Sequence, residues 1–455
     1  MAVSSSGNGM QTVAVIGSGI AGLSAAWDLK KAGCRVVVFE RNAAPGGRMA
    51  DTIVNGICTH SGASIIFSFN RDMLALVDEL GISGDLYSFD SKNRGYTVSN
   101  GAREYQLKLT FDPAFLLTHP AFGLKTKARM ITLLPDAIAS RLRIDPCMMH
   151  TAAAYDDETV ADYIRRRVTD EFLENYVEPY FRAPWHWEPE QISRAYLVSL
   201  LGHIVGAKLM SFRQGIGHLT RVLAARLDVR YKHRVVSVTV DSNGCCLTRV
   251  ANGQVHDEVF DRVVIAVPGT QAAGIVVGLD ETRRRFFNSV RYNRGARVYY
   301  ALKPGAAQFR ALWFARKSPS DISLYHELPD DTLVPDGHVQ PPTIQVELTP
   351  ELSARVAAEG GQGRLDSYVR DAVRAHYPSI DRDVTGIAEQ WWDDMLPEWY
   401  AGYARDVAAF LARGDDARPP IYFCGDYLSQ SHTGGACVSG RRIAAMLLEH
   451  NKGNR

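Results

Sequence analysis

Residues 12–40 read TVAVIGSGIAGLSAAWDLKKAGCRVVVFE. The pattern predicts a strand over 12–16, a helix over 23–32 and a second strand over 35–39. These elements form one βαβ unit, and a GxGxxG run over 17–22 joins its first strand to its helix. A GxGxxG run between a strand and a helix is typical of a dinucleotide-binding site.

Each glycine of the run has its own physical role. Gly17 permits the tight turn, Gly19 lets the backbone approach a pyrophosphate, and Gly22 allows the helix to pack closely on the strand. The N-terminus of the helix offers unpaired N–H groups and the positive end of the helix dipole to phosphates, and Ile20 and Ala21 lead into it. We therefore expect the five residues to hold the diphosphate part of a dinucleotide.

The residues that follow the second strand extend the site. Glu40 lies 18 residues (40 − 22) after Gly22, which is near the spacing at which an acid accepts hydrogen bonds from ribose hydroxyls. Arg41 follows, and Gly47 and Arg48 close a PGGR run that can bring the backbone and a guanidinium to a ligand. A glycine-rich turn with a solvated arginine is the alternative, and the unit alone does not separate NAD from FAD.

The other end of the chain carries a second glycine-rich signal. Residues 421–450 read IYFCGDYLSQSHTGGACVSGRRIAAMLLEH. They predict a short strand over 421–424, then Gly425 and Asp426, then a helix that opens at 434–436. Asp426 is suited to accept from a ribitol or ribose hydroxyl, and the helix N-terminus is suited to an electron-rich flavin carbonyl.

Residues 17–48 and 422–444 together resemble the FAD-dependent amine oxidase superfamily. This group includes monoamine and polyamine oxidases, L-amino-acid oxidases, protoporphyrinogen oxidases and carotenoid desaturases. Residues 212–227, 229–240 and 260–269 resemble further landmarks of the family and occur in the same order. The resemblance implies an α/β fold, with a Rossmann-like FAD-binding domain and an interleaved α+β substrate domain that is partly helical.

The two domains are expected to be interleaved along the chain. The FAD-binding domain is assigned to residues 1–70, 206–290 and 386–455. The substrate domain is assigned to residues 71–205 and 291–385, which include the stretches that resemble the family least.

The resemblance also implies where FAD lies. We expect non-covalent FAD, because Cys424 and Cys437 do not stand in an attachment motif. Residues 62–65 match the family's small-residue strand beneath the isoalloxazine ring. The implied FAD contacts are Gly17, Gly19, Ile20, Ala21, Gly22, Glu40, Arg41, Gly47, Arg48, Gly62, Ala63, Ser64, Ile65, Val236, Gly425, Asp426, Gly435, Ala436 and Cys437.

Aromatic residues are expected to form the substrate wall. Trp391 and Trp392 open the run WWDDMLPEWYAGY, which looks closer to the protoporphyrinogen oxidases than to the monoamine oxidases. Tyr427 follows Gly425-Asp426 and is expected to line the same cavity. Ordinary core packing is the alternative for each of these rings.

Two positions depart from the family pattern. Many amine-oxidising members carry a lysine that contacts flavin N5 through water, and the matching residue here is Arg297. Members often have Asp where this sequence has His60, a residue suited to accept a proton or contact substrate. We take Arg297, His60 and Trp392 as the candidate catalytic residues, although Arg297 in a solvent-facing strand and a simply packed His60 remain alternatives.

Composition limits the partners. The chain has 455 residues, of which 46% are hydrophobic and 22% charged, and its net charge of +1 gives no global field for nucleic acid. Seven cysteines with no CxxC pair indicate a reducing compartment, so we expect a cytoplasmic protein with no metal site. The N-terminal ten residues read as an unstructured leader, and no apolar run is long enough to span a membrane.

One stretch, residues 107–149, mixes large apolar with basic side chains. It reads either as an interfacial membrane surface or, as we favour, as helices that cap a substrate cavity. The oligomeric state does not follow from the sequence.

The expected function is transfer of a hydride from a small-molecule amine to flavin N5, with O2 reoxidising the flavin, in specialised metabolite biosynthesis. Oxidation of a large apolar ring or polyene, as in porphyrinogen oxidases and desaturases, is the alternative. A non-redox mutase, or a binding protein of the Rab GDP-dissociation inhibitor type, is also compatible with the fold. The complete set of glycines, Glu40, Arg48 and Asp426 argues against the binding protein.

Overall fold

The computed structural model describes residues 10–88, 95–108, 112–242, 244–328, 340–416 and 420–452. The expected leader, apart from residue 10, and Phe111 of the 107–149 stretch lie outside these ranges. None of the helices within them is both long and apolar enough to cross a bilayer.

The strands of the described residues are β1 (Thr12–Ile16), β2 (Arg35–Phe39), β3 (Asp51–Val54), β4 (Ile57–His60), β5 (Ile66–Phe67), β6 (Leu86–Ser88), β7 (Gly95–Ser99), β8 (Glu104–Lys108), β9 (Leu209–Phe212), β10 (Asp228–Arg230), β11 (His233–Asp241), β12 (Gly244–Ala251), β13 (Gln254–Phe260), β14 (Arg262–Ile265), β15 (Gly295–Leu302), β16 (Arg310–Phe314), β17 (Ile322–Leu328), β18 (Thr343–Leu348), β19 (Val384–Trp392) and β20 (Ile421–Phe423).

The helices are α1 (Ile20–Lys31), α2 (Arg71–Glu79), α3 (Pro113–Thr118), α4 (Leu124–Met130), α5 (Leu134–Arg143), α6 (Val160–Arg167), α7 (Asp170–Phe172), α8 (Glu178–Trp185), α9 (Arg194–Ile204), α10 (His218–Ala225), α11 (Gly269–Ile275), α12 (Glu281–Ser289), α13 (Pro350–Ala358), α14 (Asp366–His376), α15 (Ile380–Asp383), α16 (Tyr403–Asp416) and α17 (Thr433–Lys452). A π-helical turn, Leu173–Val177, joins α7 to α8.

A parallel five-stranded sheet brings the two ends of the chain together. Its strand order is β10-β2-β1-β14-β20, and β20 pairs with β14 in parallel. The predicted strands β1 and β2 are confirmed at their expected bounds, and α1 begins three residues earlier than expected. α1 and α17 share a core with the sheet. This is a Rossmann-like α/β arrangement, as predicted.

A second sheet supplies the wall that faces the nucleotide-binding part. Its order is β19-β15-β18-β17-β16-β7-β8, and its strands are mostly antiparallel. Because successive residues of a strand point to opposite faces, one face packs apolar side chains against α13 and α14. The other face carries polar and charged side chains, and these bear on the candidate site.

Two elements pack away from the neighbours that our domain boundaries give them. α2 begins at residue 71 yet shares a core with α1 and α10, on the nucleotide-binding side. β19 extends to residue 392 but pairs with β15 in the seven-stranded sheet. Residues 112–204 are mostly helical, and α8 packs against β16 and β17 of the seven-stranded sheet.

Candidate active site

The GxGxxG turn has the geometry that a dinucleotide needs. Gly17 has φ +105°, and a Cβ there would lie 2.7 Å from the carbonyl oxygen of Ala266. A Cβ on Gly22 would lie 2.1 Å from the carbonyl oxygen of Gly17, because α1 packs directly on the turn. A Cβ on Gly19 would meet no protein atom within 4 Å. The turn thus has a positive φ at Gly17, a close helix contact at Gly22 and an open position at Gly19.

The acid at the end of β2 is fixed by its own neighbours. The buried carboxylate of Glu40 accepts from the backbone N–H of Ser18 at 3.0 Å and from its hydroxyl at 2.7 Å. It also accepts from the N–H of Asn42 at 2.8 Å. Val236 lies exposed in β11, the strand whose first residue, His233, donates its N–H to the carbonyl of Glu40. These contacts fix the carboxylate next to the glycine turn.

An ion pair joins the two glycine-rich ends. The Arg48 guanidinium lies 2.7 Å and 2.9 Å from the two carboxylate oxygens of Asp426, and it also donates to the carbonyl of Met395 at 3.0 Å. The guanidinium lies over the ring of Tyr292, with 5.3 Å to its centroid. Arg41, by contrast, is exposed and donates to Gln271. Arg48, which is expected near the diphosphate of FAD, thus pairs with Asp426, which is expected near the ribityl chain.

Residues 62–65 do not form the expected strand; they form a loop between β4 and β5. The reason is that the N–H of Ala63 pairs with the carbonyl of Arg48 at 2.9 Å rather than with a neighbouring strand. A Cβ on Gly62 would lie 2.9 Å from the same carbonyl oxygen. Ser64 and Ile65 complete the loop, and Thr433 of α17 donates to Ile65 at 3.5 Å. The loop lies beside Arg48.

The start of α17 differs from the expectation in its amides. The N–H of Gly435 donates to Nδ1 of His432 at 3.0 Å, and that of Ala436 donates to the carbonyl of His432 at 3.1 Å. Neither amide is therefore available to a flavin ring. The Cys437 thiol accepts from the Ser24 hydroxyl at 3.3 Å, inside the core. His432, which we did not single out, caps this helix, and the only signal for it is its position ahead of Thr433.

The buried thiols agree with a cofactor that is not covalently attached. Cys424 and Cys437 are both fully buried. Burial raises the pKa of each thiol to about 12. Because the thiolate is the reactive form of cysteine, neither side chain is a nucleophile at neutral pH.

The His432 cap makes the fold sensitive to acid. Nδ1 accepts from Gly435, so Nε2 carries the proton and donates to the carbonyl of Pro146 at 3.0 Å. Burial lowers the pKa of His432 to about 4. Between pH 6.5 and 4 the imidazole of His432 binds a proton in the unfolded chain but not in the folded chain. The free energy of unfolding therefore falls as the pH falls. We expect His432→Asn, whose carbonyl can keep the cap, to flatten this part of the dependence of melting temperature on pH.

The control for this experiment is His450→Asn, because His450 lies near the C-terminal end of α17 and contacts the hydroxyl of Tyr422 at 3.1 Å instead of capping a helix N-terminus. If wild type and His432→Asn lost the same stability between pH 7 and pH 5, the cap would not be the source.

The two adjacent tryptophans point to opposite faces of the seven-stranded sheet. Trp391 packs against the apolar core under α13 and α14, so it does not share a wall with Trp392. Trp392 donates its Nε1–H to the carbonyl of Ser61 at 3.1 Å. Tyr427 is fully buried among apolar side chains, and its expected place in a cavity wall stays a prediction.

Arg297 does not face solvent; it lies in a buried ionic cluster on the polar face of the sheet. Its guanidinium is 2.5 Å from Glu347 of the neighbouring strand β18 and 5.5 Å from the centroid of the Trp392 ring. It also donates to the hydroxyl of Tyr299 at 3.1 Å. Nε2 of His186 lies 2.5 Å from the second Glu347 oxygen. All of these side chains but Trp392 are nearly or fully buried.

The cluster fixes the charge of its carboxylate. Burial alone would raise the pKa of Glu347, but Arg297 and His186 together lower it to about 2. The pair is therefore ionised and close to neutral overall. Sequence reasoning missed Glu347 and His186, because both lie in the stretches with little resemblance to the family.

His60 is held by a carboxylate as well. Its Nδ1 lies 2.9 Å from an Asp51 oxygen, and the other Asp51 oxygen accepts from the N–H of Gly217 at 2.8 Å. The thiol of Cys58 is near, and the ligand atoms of Asp51, Cys58 and His60 lie within 4.8 Å of one another. We expected no metal site, and this group is the one place among the described residues where three such atoms meet. Burial, the largest influence on the thiol, raises the pKa of Cys58 to about 12. Because cysteine binds a metal as the thiolate, this disfavours Cys58 as a metal ligand.

The described residues fit FAD. Gly19 leaves an open approach to the start of α1, and Arg48 offers a planar guanidinium whose present partners are a carboxylate, a carbonyl and a ring. Glu40 stands at the end of β2 with its carboxylate fixed. The first turn of α1, Glu40 and Arg48 would hold the adenosine and diphosphate part, and Asp426 the ribityl chain.

Comparison with known proteins agrees with this arrangement. The family model described as flavin containing amine oxidoreductase matches residues 20–448. Protoporphyrinogen oxidase 2 of Arabidopsis thaliana is 26% identical over 181 residues, which are 40% of this chain and 34% of that protein. A probable flavin-containing monoamine oxidase A of Dictyostelium discoideum is 24% identical over 58% of each chain. The chain thus spans about a third to somewhat over half of these relatives' lengths.

Solved structures show the same fold. A putative protoporphyrinogen oxidase of Exiguobacterium sp. 255-15 has a TM-score of 0.71 and 15% identity, covering 97% of this chain and all of that chain. Cyclohexylamine oxidase of Brevibacterium oxydans IH-35A has a TM-score of 0.69 and 19% identity, covering 98% and 100%. With its family match over residues 20–448, this chain belongs to the flavin-containing amine oxidoreductases.

Proposed function

We propose that this protein oxidises a small organic amine to an imine and that O2 is the final electron acceptor. The observation that carries the proposal is the Trp392–Arg297 stack beside the 62–65 loop. Arg297 lies over Trp392, whose Nε1–H is held by the carbonyl of Ser61. When bound, FAD supplies N5, an atom that accepts a hydride.

The wall favours a neutral substrate. Glu347 neutralises Arg297 at 2.5 Å, so the stack presents an aromatic face without a free charge. Such a face orients a substrate and excludes water, which favours the uncharged amine over the ammonium form. We propose an amine as the substrate and O2 as the acceptor because the chain is similar to a monoamine oxidase, a putrescine oxidase and a cyclohexylamine oxidase.

In this proposal the imidazole of His60 is the base that accepts the proton lost by an ammonium substrate. When Nδ1–H donates to Asp51, Nε2 is left as the acceptor. We expect His60→Gln to lower kcat/KM for an amine by about a hundred-fold, and the loss to be greatest at low pH, where the substrate is protonated.

The matched control is His218→Gln. His218 also contacts a carboxylate, Asp85, at 3.0 Å, and its ring packs on Phe212 at the start of α10. Equal losses in the two variants, or a loss for His60→Gln that is independent of pH, would contradict the role of His60.

An apolar substrate of the porphyrinogen or polyene type is the second candidate. The observation behind it is the apolar and aromatic lining of a cavity, which includes Tyr176, Tyr180 and Trp185. At about 50 Å³ this cavity would have to widen several-fold to admit such a substrate. The likeness to protoporphyrinogen oxidases points the same way.

Anaerobic mixing separates the two candidates. Bound oxidised flavin has a visible absorbance that is lost on reduction, so the purified protein is mixed without O2 with alkyl amines, aryl amines, a diamine and a porphyrinogen. Loss of absorbance with an amine, followed by peroxide formation when air is admitted, supports the proposal. Loss with the porphyrinogen alone supports the second candidate and overturns the first.

A further inference from the structure

The helical region near residue 130 turns large apolar side chains to solvent. α4, a 3-10 turn (Ile131–Leu133) and α5 follow one another without a break over residues 124–143, and we call this segment the surface helix. Six of the fifteen exposed large hydrophobic side chains that the structure describes lie on it or on α3 just before it: Leu117, Leu124, Ile131, Leu134, Ile138 and Leu142.

The exposed residues form one stripe. Leu124, Ile131, Leu134, Ile138 and Leu142 follow one another at spacings of seven, three, four and four, which is the repeat of one helix face. Leu124 is 87% exposed and Leu142 is 75% exposed. The opposite face is already buried, through residues such as Leu133 and Ser140. The stripe is thus additional to the face that packs on the protein.

The charges around the stripe are nearly all positive. The surface helix holds five basic residues and one acidic residue, in a chain whose net charge is +1. The acidic residue, Asp136, accepts hydrogen bonds from the hydroxyl of Tyr163 and the guanidinium of Arg167. Lys125, Arg141 and Arg143 are exposed beside the stripe.

We propose that the surface helix docks this protein on an anionic lipid bilayer, with the leucine and isoleucine stripe in the acyl boundary and the basic residues at the headgroups. An apolar stripe flanked by Lys and Arg is the pattern that lies in a membrane interface. A second copy of the chain is a poorer occupant, because a two-fold interface would bring two basic faces together. Basic residues near an anionic surface gain from it instead.

The apolar cavity lies on the inner side of the same segment. Leu133, buried between the exposed Ile131 and Leu134, lines the cavity together with Leu200 and Ile204 of α9, on which α5 packs. A bilayer under the surface helix would therefore be one layer of side chains away from the cavity.

Flotation of the FAD-loaded full chain with lipid vesicles tests the proposal. We expect binding to vesicles of phosphatidylcholine with phosphatidylglycerol, weaker binding at high salt, and little binding to phosphatidylcholine alone. The variant Leu134→Ser/Ile138→Ser/Leu142→Ser should lose binding about a hundred-fold or more. Lys125→Gln and Arg141→Gln should each lose about five-fold.

The control is Val255→Ser/Val259→Ser, which removes two similarly exposed apolar side chains from β13. It should bind like wild type, and melting temperatures of all variants check that the fold is intact. The proposal is overturned if wild type floats with neither kind of vesicle, or if the control loses as much binding as the stripe variant. It is also overturned if the wild type does not bind vesicles and light scattering shows that it forms a dimer, whereas the stripe variant is a monomer.

Discussion

Gly22→Ala is expected to destabilise the protein by about 3 kcal/mol or more, because overpacking against rigid backbone has no flexible group to relieve it. The new Cβ would lie 2.1 Å from the carbonyl oxygen of Gly17, at the place where α1 packs on the turn. The loss is measured by chemical unfolding of the FAD-free protein. FAD retention on purification should fall with it.

Gly19→Val is the matched variant. Its Cβ would meet no protein atom within 4 Å, and Gly19 has φ −69°, which any residue adopts. We expect it to leave the unfolding free energy of the FAD-free protein within about 1 kcal/mol, since it neither overpacks nor strains the backbone. It should still weaken FAD binding at least a hundred-fold, because the side chain fills the approach to the diphosphate. Full FAD affinity in Gly19→Val would contradict our placement of the dinucleotide.

Glu347→Gln is expected to cost about 3–5 kcal/mol, because it leaves the buried guanidinium of Arg297 without a counter-charge. Arg297 lies 2.5 Å from Glu347 and is 5% exposed, so water cannot replace the carboxylate. His186 loses its charged partner in the same variant. The measurement is the free energy of unfolding at pH 7.

Two further variants separate the buried charge from general packing. Arg297→Met/Glu347→Leu removes both charges and should recover most of the loss, since apolar pairs often replace buried ion pairs at little cost. Glu281→Gln removes a carboxylate of an exposed pair with Arg285 at 4.0 Å, and should change stability by less than about 1 kcal/mol. If Glu347→Gln were as mild as Glu281→Gln, Arg297 would not depend on Glu347.

The nucleotide-binding part could be predicted from local sequence because its determinants are local. The turn at Gly17–Gly22 needs glycines whatever surrounds it, and Glu40 follows on the next strand. Arg48 and Asp426 are distant in the chain, but each stands beside a glycine signal of its own, and the parallel sheet brings them together.

The substrate side could not be predicted in the same way. Glu347 becomes the partner of Arg297 only when β18 pairs with β15, and His186 becomes the partner of Glu347 only because α8 ends beside the sheet. Trp391 and Trp392 are adjacent in β19, so their side chains face opposite sides of the sheet and do not line one wall together. The stripe of the surface helix could not be separated from its buried face by pattern, since both faces carry apolar residues.

The absorption spectrum of the purified protein before and after acid precipitation tests the central claim most directly. The claim is that FAD lies non-covalently on the glycine turn, between the two ends of the chain. It predicts a yellow protein that releases one FAD per chain into the supernatant and leaves a colourless pellet. A protein that stays colourless after incubation with FAD, or a pellet that keeps the flavin, would contradict it.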